Sequence, residues 1–164
     1  MTESQYIKLT SYFRKNKLRE SVIKFFCRFT PLIVIFMYSI TVLGLFINKS
    51  QNLIMFLFVP ASNFLFITIL RKSLNKPRPY DLFNQIPLVK YTKGKGKSFP
   101  SRHTSSAFII AISYFYIHSN YLASVMFLIA IIIAFSRVAV GVHFPRDVIY
   151  AALISLIWSL IYWL

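Results

Sequence analysis

Apolar residues fall in long blocks, at roughly residues 30–47, 53–70, 104–118, 121–140 and 146–164. A helix that crosses the hydrocarbon of a bilayer needs about 17–25 such residues. The first, second, fourth and fifth blocks meet that length. The third is shorter and rich in serine, so it predicts a helix packed against other helices. Ser105, Ser106 and Ser113 suit that close packing. Residues 1–29 instead interleave Lys8, Arg14, Lys15, Lys17, Arg19, Lys24 and Arg28 with Tyr12, Phe13, Phe25 and Phe26. That pattern predicts an amphipathic segment lying on the membrane surface. No short apolar core with a small-residue cleavage site follows, so a removable signal peptide is not expected. The stretch 71–103 holds Pro77, Pro79, Pro87 and Pro100 and a Gly/Lys run at 90–97, which exclude one continuous helix. No internal repeat is present. The pattern as a whole predicts an all-α integral membrane bundle of about five transmembrane helices over residues 30–164, preceded by the surface segment 1–29.

Composition sharpens this. The 164 residues are 57% hydrophobic and only 14% charged, whereas soluble domains carry about a quarter charged residues. The formal charge is +15, from 19 Lys+Arg against 4 Asp+Glu. In a soluble chain that balance suggests nucleic acid. Here the basic residues gather between apolar blocks, so the expected partners are anionic lipids of the bilayer and a phosphorylated substrate, not nucleic acid. Lys90, Lys93, Lys95 and Lys97 are read as a juxtamembrane run meeting such lipids, and His118 as an interfacial residue. The Phe and Tyr residues are expected mainly on the lipid-facing surface and in the interfacial belt. The four acids, Glu3, Glu20, Asp81 and Asp147, are too few for a carboxylate-rich two-metal site. Cys27 is the sole cysteine, so neither an internal disulfide nor a CxxC metal site is possible. No metal and no cofactor are expected; oligomeric state is not legible.

Five spans place the N-terminus, the 71–103 loop and the 137–147 turn on one face. That face carries 18 of the 19 basic residues and the other only Lys49. Setting aside Arg71, Lys72, Arg78, Arg102, Arg137 and Arg146 as candidate site residues leaves the bias intact. The positive-inside rule then orients this face to the cytoplasm, in what composition suggests is a bacterial cytoplasmic membrane.

Three polar clusters lie at block ends on that face: 71–79, 100–103 and 136–147. In the first, Pro77 and Pro79 bracket Arg78 and stiffen the backbone that aims its guanidinium. In the second, Ser101 stands at the N-cap position of the third helix, whose first N–H groups form an anion site. In the third, Pro145 fits the first turn of the last helix and puts Asp147 near its third position, within reach of His143. A carboxylate so placed fixes the imidazole tautomer and supports positive charge on the ring. Arginine forks clamp phosphate oxygens. One imidazole then serves to attack phosphorus and the other to protonate the departing oxygen.

These residues resemble the type 2 phosphatidic acid phosphatase family, which shares its site with vanadium haloperoxidases. The family pattern is a basic residue, six positions and Arg-Pro; then Pro-Ser-Gly-His; then Ser-Arg, five positions, His, three positions and Asp. Here Arg71, Arg78 and Pro79 carry the first motif. Pro100, Ser101 and His103 carry the second, and Ser136, Arg137, His143 and Asp147 the third. The resemblance implies His143 as a nucleophile forming a phosphohistidine, Asp147 as its orienting partner and His103 as the general acid. It implies Arg71, Arg78, Ser101 and Arg137 as the phosphate-binding set. Two positions depart from the pattern. Position 71 is Arg where the family has Lys, with Lys72 adjacent, and position 102 is Arg in place of Gly. Lys72 and Arg102 are therefore candidate substrate-binding residues, Arg102 for a diphosphate or an anionic headgroup. Arg146 stays unassigned.

The implied function is a lipid phosphatase acting on phosphatidic acid, phosphatidylglycerol phosphate, or a polyprenyl phosphate or diphosphate. Two alternatives remain: a haloperoxidase-like enzyme using vanadate, against which five spans argue, and a membrane scaffold or anionic-lipid binder with a non-catalytic phosphate site.

Overall fold

A computed structural model describes residues 1–94 and 96–164; the reading made for Lys95 lies outside them. The described residues form helices and connecting segments, with no strand among them. Helix α1 spans Glu3–Arg14, α2 Lys17–Ile47, α3 Leu53–Leu74, α4 Pro79–Leu82, α5 Arg102–Tyr116, α6 Asn120–Ala139 and α7 Pro145–Trp158. A 3₁₀ turn, Ser159–Trp163, completes the last span. Four helical stretches are long and apolar enough to cross a membrane, those beginning at Lys17, Leu53, Asn120 and Pro145. The fifth member, α5, has 15 residues and is enclosed by α3, α6 and α7. The bundle is thus the expected integral membrane architecture, with the short serine-rich helix at its centre.

The break between the first two helices is set by caps and not by hydropathy. Asn16 is extended (ψ 117°), and its side-chain oxygen accepts from the N–H groups of Leu18 and Arg19 at 2.9 and 3.2 Å. From there α2 runs without interruption through residue 29, where composition alone places a boundary. Its 31 residues reach about 46 Å, more than the roughly 30 Å of hydrocarbon, so its basic first turns extend past the apolar slab. The polar N-terminus is therefore one short helix plus the projecting start of a span.

Aromatic residues are shared between the two environments. Phe36, Phe46, Phe58 and Phe135 face outward, but Phe56, Tyr114 and Tyr162 are buried among helices. In the bilayer a buried polar group must be paired within the protein. Accordingly the Tyr114 hydroxyl pairs with Thr41 Oγ1 at 2.9 Å and the Tyr162 hydroxyl with Ser113 Oγ at 2.6 Å. Ser105 on α5 joins Asn63 Oδ1 of α3 at 2.7 Å and Ser155 Oγ of α7 at 2.8 Å. These bonds register the central helix against its neighbours.

At one end of the bundle, α1, the 75–101 loop and the 140–144 turn fold over each other. The Leu88 N–H donates to Val140 O at 3.0 Å, and Arg14 Nη2 to Ile86 O at 2.7 Å. Tyr6, fully buried, donates its hydroxyl to Gly141 O at 3.2 Å. Gly141 has φ +82°, and a Cβ there would lie 2.5 Å from the Tyr6 hydroxyl oxygen, so both conformation and space demand glycine.

Candidate active site

All three polar clusters meet at this end. Pro145 occupies the first turn of α7, so Asp147 stands three residues into the helix from Phe144. Its Oδ2 accepts three donors: the Phe144 N–H at 3.0 Å, Ser98 Oγ at 2.5 Å and His143 Nδ1 at 3.4 Å. Ser98 Oγ also lies 3.5 Å from His143 Nδ1. With Nδ1–H directed at a carboxylate, the assigned tautomer leaves a lone pair on Nε2. His143 is 2% exposed, and burial lowers its imidazole from the ordinary 6.5 to about 4; the Asp147 hydrogen bond opposes that fall. Burial thus favours the neutral ring over the charged one.

Ser101 takes the N-cap position of α5 in extended conformation (ψ 112°), but its side chain makes no capping bond. Its Oγ instead accepts from Thr104 Oγ1 at 3.0 Å, which leaves its own proton free to donate to a ligand. The Ser101 N–H bonds Asp147 O at 2.9 Å, tying the starts of α5 and α7 together. Ser101 is thus a buried serine at the N-terminus of α5, where the helix dipole favours an anion.

Three arginines are held by backbone carbonyls. Arg71, in the last turn of α3, donates through Nη1 to Pro100 O at 2.5 Å and to Ser98 O at 3.5 Å. Arg78, extended between its prolines, donates Nε to Gly96 O at 3.3 Å and Nη1 to Val142 O at 3.4 Å. Arg137, in the last turn of α6, donates Nη2 to Cys27 O at 3.1 Å, while its buried Nε has no protein partner. Each guanidinium is therefore oriented by one edge with N–H groups to spare.

A cavity of about 540 Å³ opens between α2, α3 and α5, walled mainly by apolar side chains such as Val34, Leu57, Phe64 and Ile110. Arg102 and His103 stand at its polar end. Both are exposed to that space, and the Arg102 guanidinium lies over the Phe64 ring at 5.2 Å. Ser106, expected as a packing serine, is half-buried and lines the cavity as well.

The structure thus brings together His103, His143, Asp147, Arg71, Arg78, Ser101 and Arg137, with Arg102 at the rim. Lys72 is exposed at the end of α3 and shares none of these hydrogen bonds. Arg146 is also exposed; it lies over the Phe144 ring at 5.0 Å, with Nε 3.8 Å from Asp147 Oδ1. Sequence inspection passed over Ser98, an inconspicuous serine after a basic run, and the Cys27 carbonyl, which no side-chain motif encodes. It also passed over Tyr6, distant by 135 residues from its partner.

The family model described as the PAP2 superfamily matches residues 52–164, more than half of the chain. This protein belongs to that superfamily. It is 36% identical over 63 residues to an Escherichia coli (strain K12) protein with the provisional name undecaprenyl-diphosphatase YbjG; the match covers 38% of this chain but 32% of the relative. The crystal structure of Aquifex aeolicus LpxE superposes with a TM-score of 0.76 at 25% identity, over 98% of this chain and 93% of that one. A second crystal structure, of a transmembrane PAP2 type phosphatidylglycerolphosphate phosphatase from Bacillus subtilis, gives 0.74 at 21% identity, over 98% and 83%. This second likeness bears on the fold alone.

Proposed function

We propose that this PAP2 superfamily member is a membrane-embedded phosphatase that removes a phosphoryl group from a lipid phosphate or diphosphate through a phosphohistidine. The observation that carries this reading is the apolar cavity ending at His103 and Arg102. A lipid chain lying in it delivers its phosphate to the one place where arginines, an opened helix N-terminus and two imidazoles converge. The name of the E. coli relative supports the same class of chemistry.

In the first step the His143 Nε2 lone pair attacks phosphorus as the ester or anhydride P–O bond breaks, and His103, which takes up a proton as the phosphate anion enters beside it, gives that proton to the departing oxygen. Asp147 holds Nδ1–H throughout and offsets the positive charge that develops on the ring. Arg71, Arg78, Arg137 and the Ser101 hydroxyl hold the equatorial oxygens of the transferring group. In the second step water attacks phosphorus and passes a proton to His103 as the P–N bond breaks; phosphate leaves and His143 is restored. The site's cations are arginines, and among the described residues no three His, Cys, Asp or Glu side chains converge as a metal cluster would require. Arg102 lines the polar end of the tail cavity beside His103, so it suits a second phosphate or an anionic headgroup; Lys72, exposed at the end of α3, is left as a weaker candidate. Charge asymmetry supports a cytoplasmic-facing site in a bacterial membrane, for a substrate met on the inner leaflet.

The test is phosphate release by detergent-purified protein in excess EDTA. The panel is phosphatidic acid, phosphatidylglycerol phosphate, and prenyl mono- and diphosphates, with His143→Ala alongside. EDTA-resistant release that the variant abolishes is expected. Release lost in EDTA overturns the metal-free mechanism, and no release from any member overturns the phosphatase. For orientation, a Lys90→Cys reporter in intact cells should resist impermeant thiol reagents; labelling from outside overturns the cytoplasmic placement.

A further inference from the structure

Helix α2 contains a single proline, Pro31. In an uninterrupted helix the residue at position 31 donates its N–H to the carbonyl of residue 27. Proline has no N–H to give, and its ring crowds that carbonyl. The Cys27 carbonyl, buried where α2 meets α6, is therefore without its intrahelical donor, and it is the group that accepts Arg137 Nη2 at 3.1 Å. Helix α3 repeats the device. Pro60 leaves the Phe56 carbonyl free, and that oxygen accepts the Tyr38 hydroxyl at 2.9 Å. In this bundle a helix proline supplies an acceptor to a neighbouring side chain.

We propose that Pro31 is a positioning residue for Arg137. By withholding an N–H it dedicates the Cys27 carbonyl to the guanidinium, and this anchors one edge of the guanidinium while its buried Nε keeps no protein partner. Helix α2 lies wholly outside the 52–164 stretch that carries the family pattern, so the first span contributes to phosphate binding without contacting phosphate. A guanidinium at a membrane edge is costly to bury and flexible on its stem; a committed carbonyl supplies both hydrogen bonding and aim. This inference rests on the reading of Arg137 as a phosphate ligand.

The probe is inorganic orthovanadate, a phosphate mimic with no tail, because Pro31 also lines the lipid cavity and tail binding must be kept out of the measurement. Vanadate inhibition of phosphate release, and vanadate-induced thermal stabilisation, are measured for wild type, Pro31→Ala, Arg137→Ala and the double variant. Pro31→Ala restores an N–H that competes for the carbonyl; a charged hydrogen bond of ordinary strength translates to a rise of about tenfold in the vanadate inhibition constant. In the Arg137→Ala background the same substitution should change it less than twofold. An unchanged constant in folded Pro31→Ala, or an equal loss in both backgrounds, overturns the positioning role. Should the alanine variant fail to fold, Pro31→Ser supplies the same N–H. Wild-type protein that neither releases phosphate nor responds to vanadate overturns the functional reading itself, an outcome distinct from wild type and Pro31→Ala responding alike.

Discussion

Ser98→Ala removes one hydroxyl and tests whether the His143–Asp147 pair depends on its surroundings. Asp147 is fully buried, and all of the hydrogen bonds to its carboxylate fall on Oδ2, from Ser98, Phe144 and His143. Oδ1 is buried with no hydrogen-bond partner. Ser98 thus supplies one of three donors that hold a carboxylate in a low-dielectric site. A hydrogen bond to a charged group contributes about 1.5–3 kcal/mol, and about 1.4 kcal/mol is tenfold in rate. Full expression of the loss in the transition state would slow the reaction by about 10- to 100-fold. Two donors remain and a water can occupy the vacated space, so a fall of about 10- to 30-fold is expected. It should appear in kcat with KM unchanged, since Ser98 is fully buried and serves the dyad, not the substrate. Ser98→Thr, which keeps a hydroxyl, should recover part of it. Steady-state kinetics on the best lipid of the panel is the assay. Wild-type kcat in Ser98→Ala, or a change confined to KM, would refute the assignment of Ser98 to the dyad.

Arg102→Gly restores the family residue. It should lower kcat/KM for a prenyl diphosphate about tenfold or more while changing the monophosphate less than threefold; equal losses on both substrates argue against a second-phosphate contact. His143 is neutral down to about pH 4, whereas in the unfolded chain it binds its proton near pH 6.5. Because the unfolded state takes up that proton first, the native protein loses stability as pH falls from about 6.5 to 4. Tm should fall further across that window in wild type than in His143→Asn, and parallel falls would exclude the depressed value. Gly141→Ala drives a Cβ to 2.5 Å from the Tyr6 hydroxyl and strains a backbone at φ +82°. A loss of more than about 1 kcal/mol is expected from the backbone strain, with reduced phosphate release from the displaced 140–144 turn. Tyr6→Leu in the same chain should recover part of the Tm, and no recovery would place the cost in the backbone alone.

The hydrophobic pattern by itself determined that this chain is a membrane bundle of about five spans, because burying about 20 apolar residues per helix in lipid is a local, additive property. Spacing also determined the dyad: His143 and Asp147 lie four residues apart across a helix start that Pro145 announces, so their meeting needs no tertiary information. The motifs likewise marked Arg71, Arg78, Ser101, His103 and Arg137 as one family's residues, although their roles stand as proposals. Only the tertiary structure decided what holds them. Ser98 reaches Asp147 across 49 residues, Tyr6 reaches Gly141 across 135, and Arg137 finds Cys27 across 110. Two of these three acceptors are backbone carbonyls, which every residue possesses and no composition reveals. Ser101 shows the same limit: its N-cap position was legible, but the rotamer that leaves its proton free depends on Thr104 and the packed turn around it. Hydropathy also did not show that the helix of the first span begins as early as Lys17, because Asn16 caps it by hydrogen bonds that carry no hydrophobic signal.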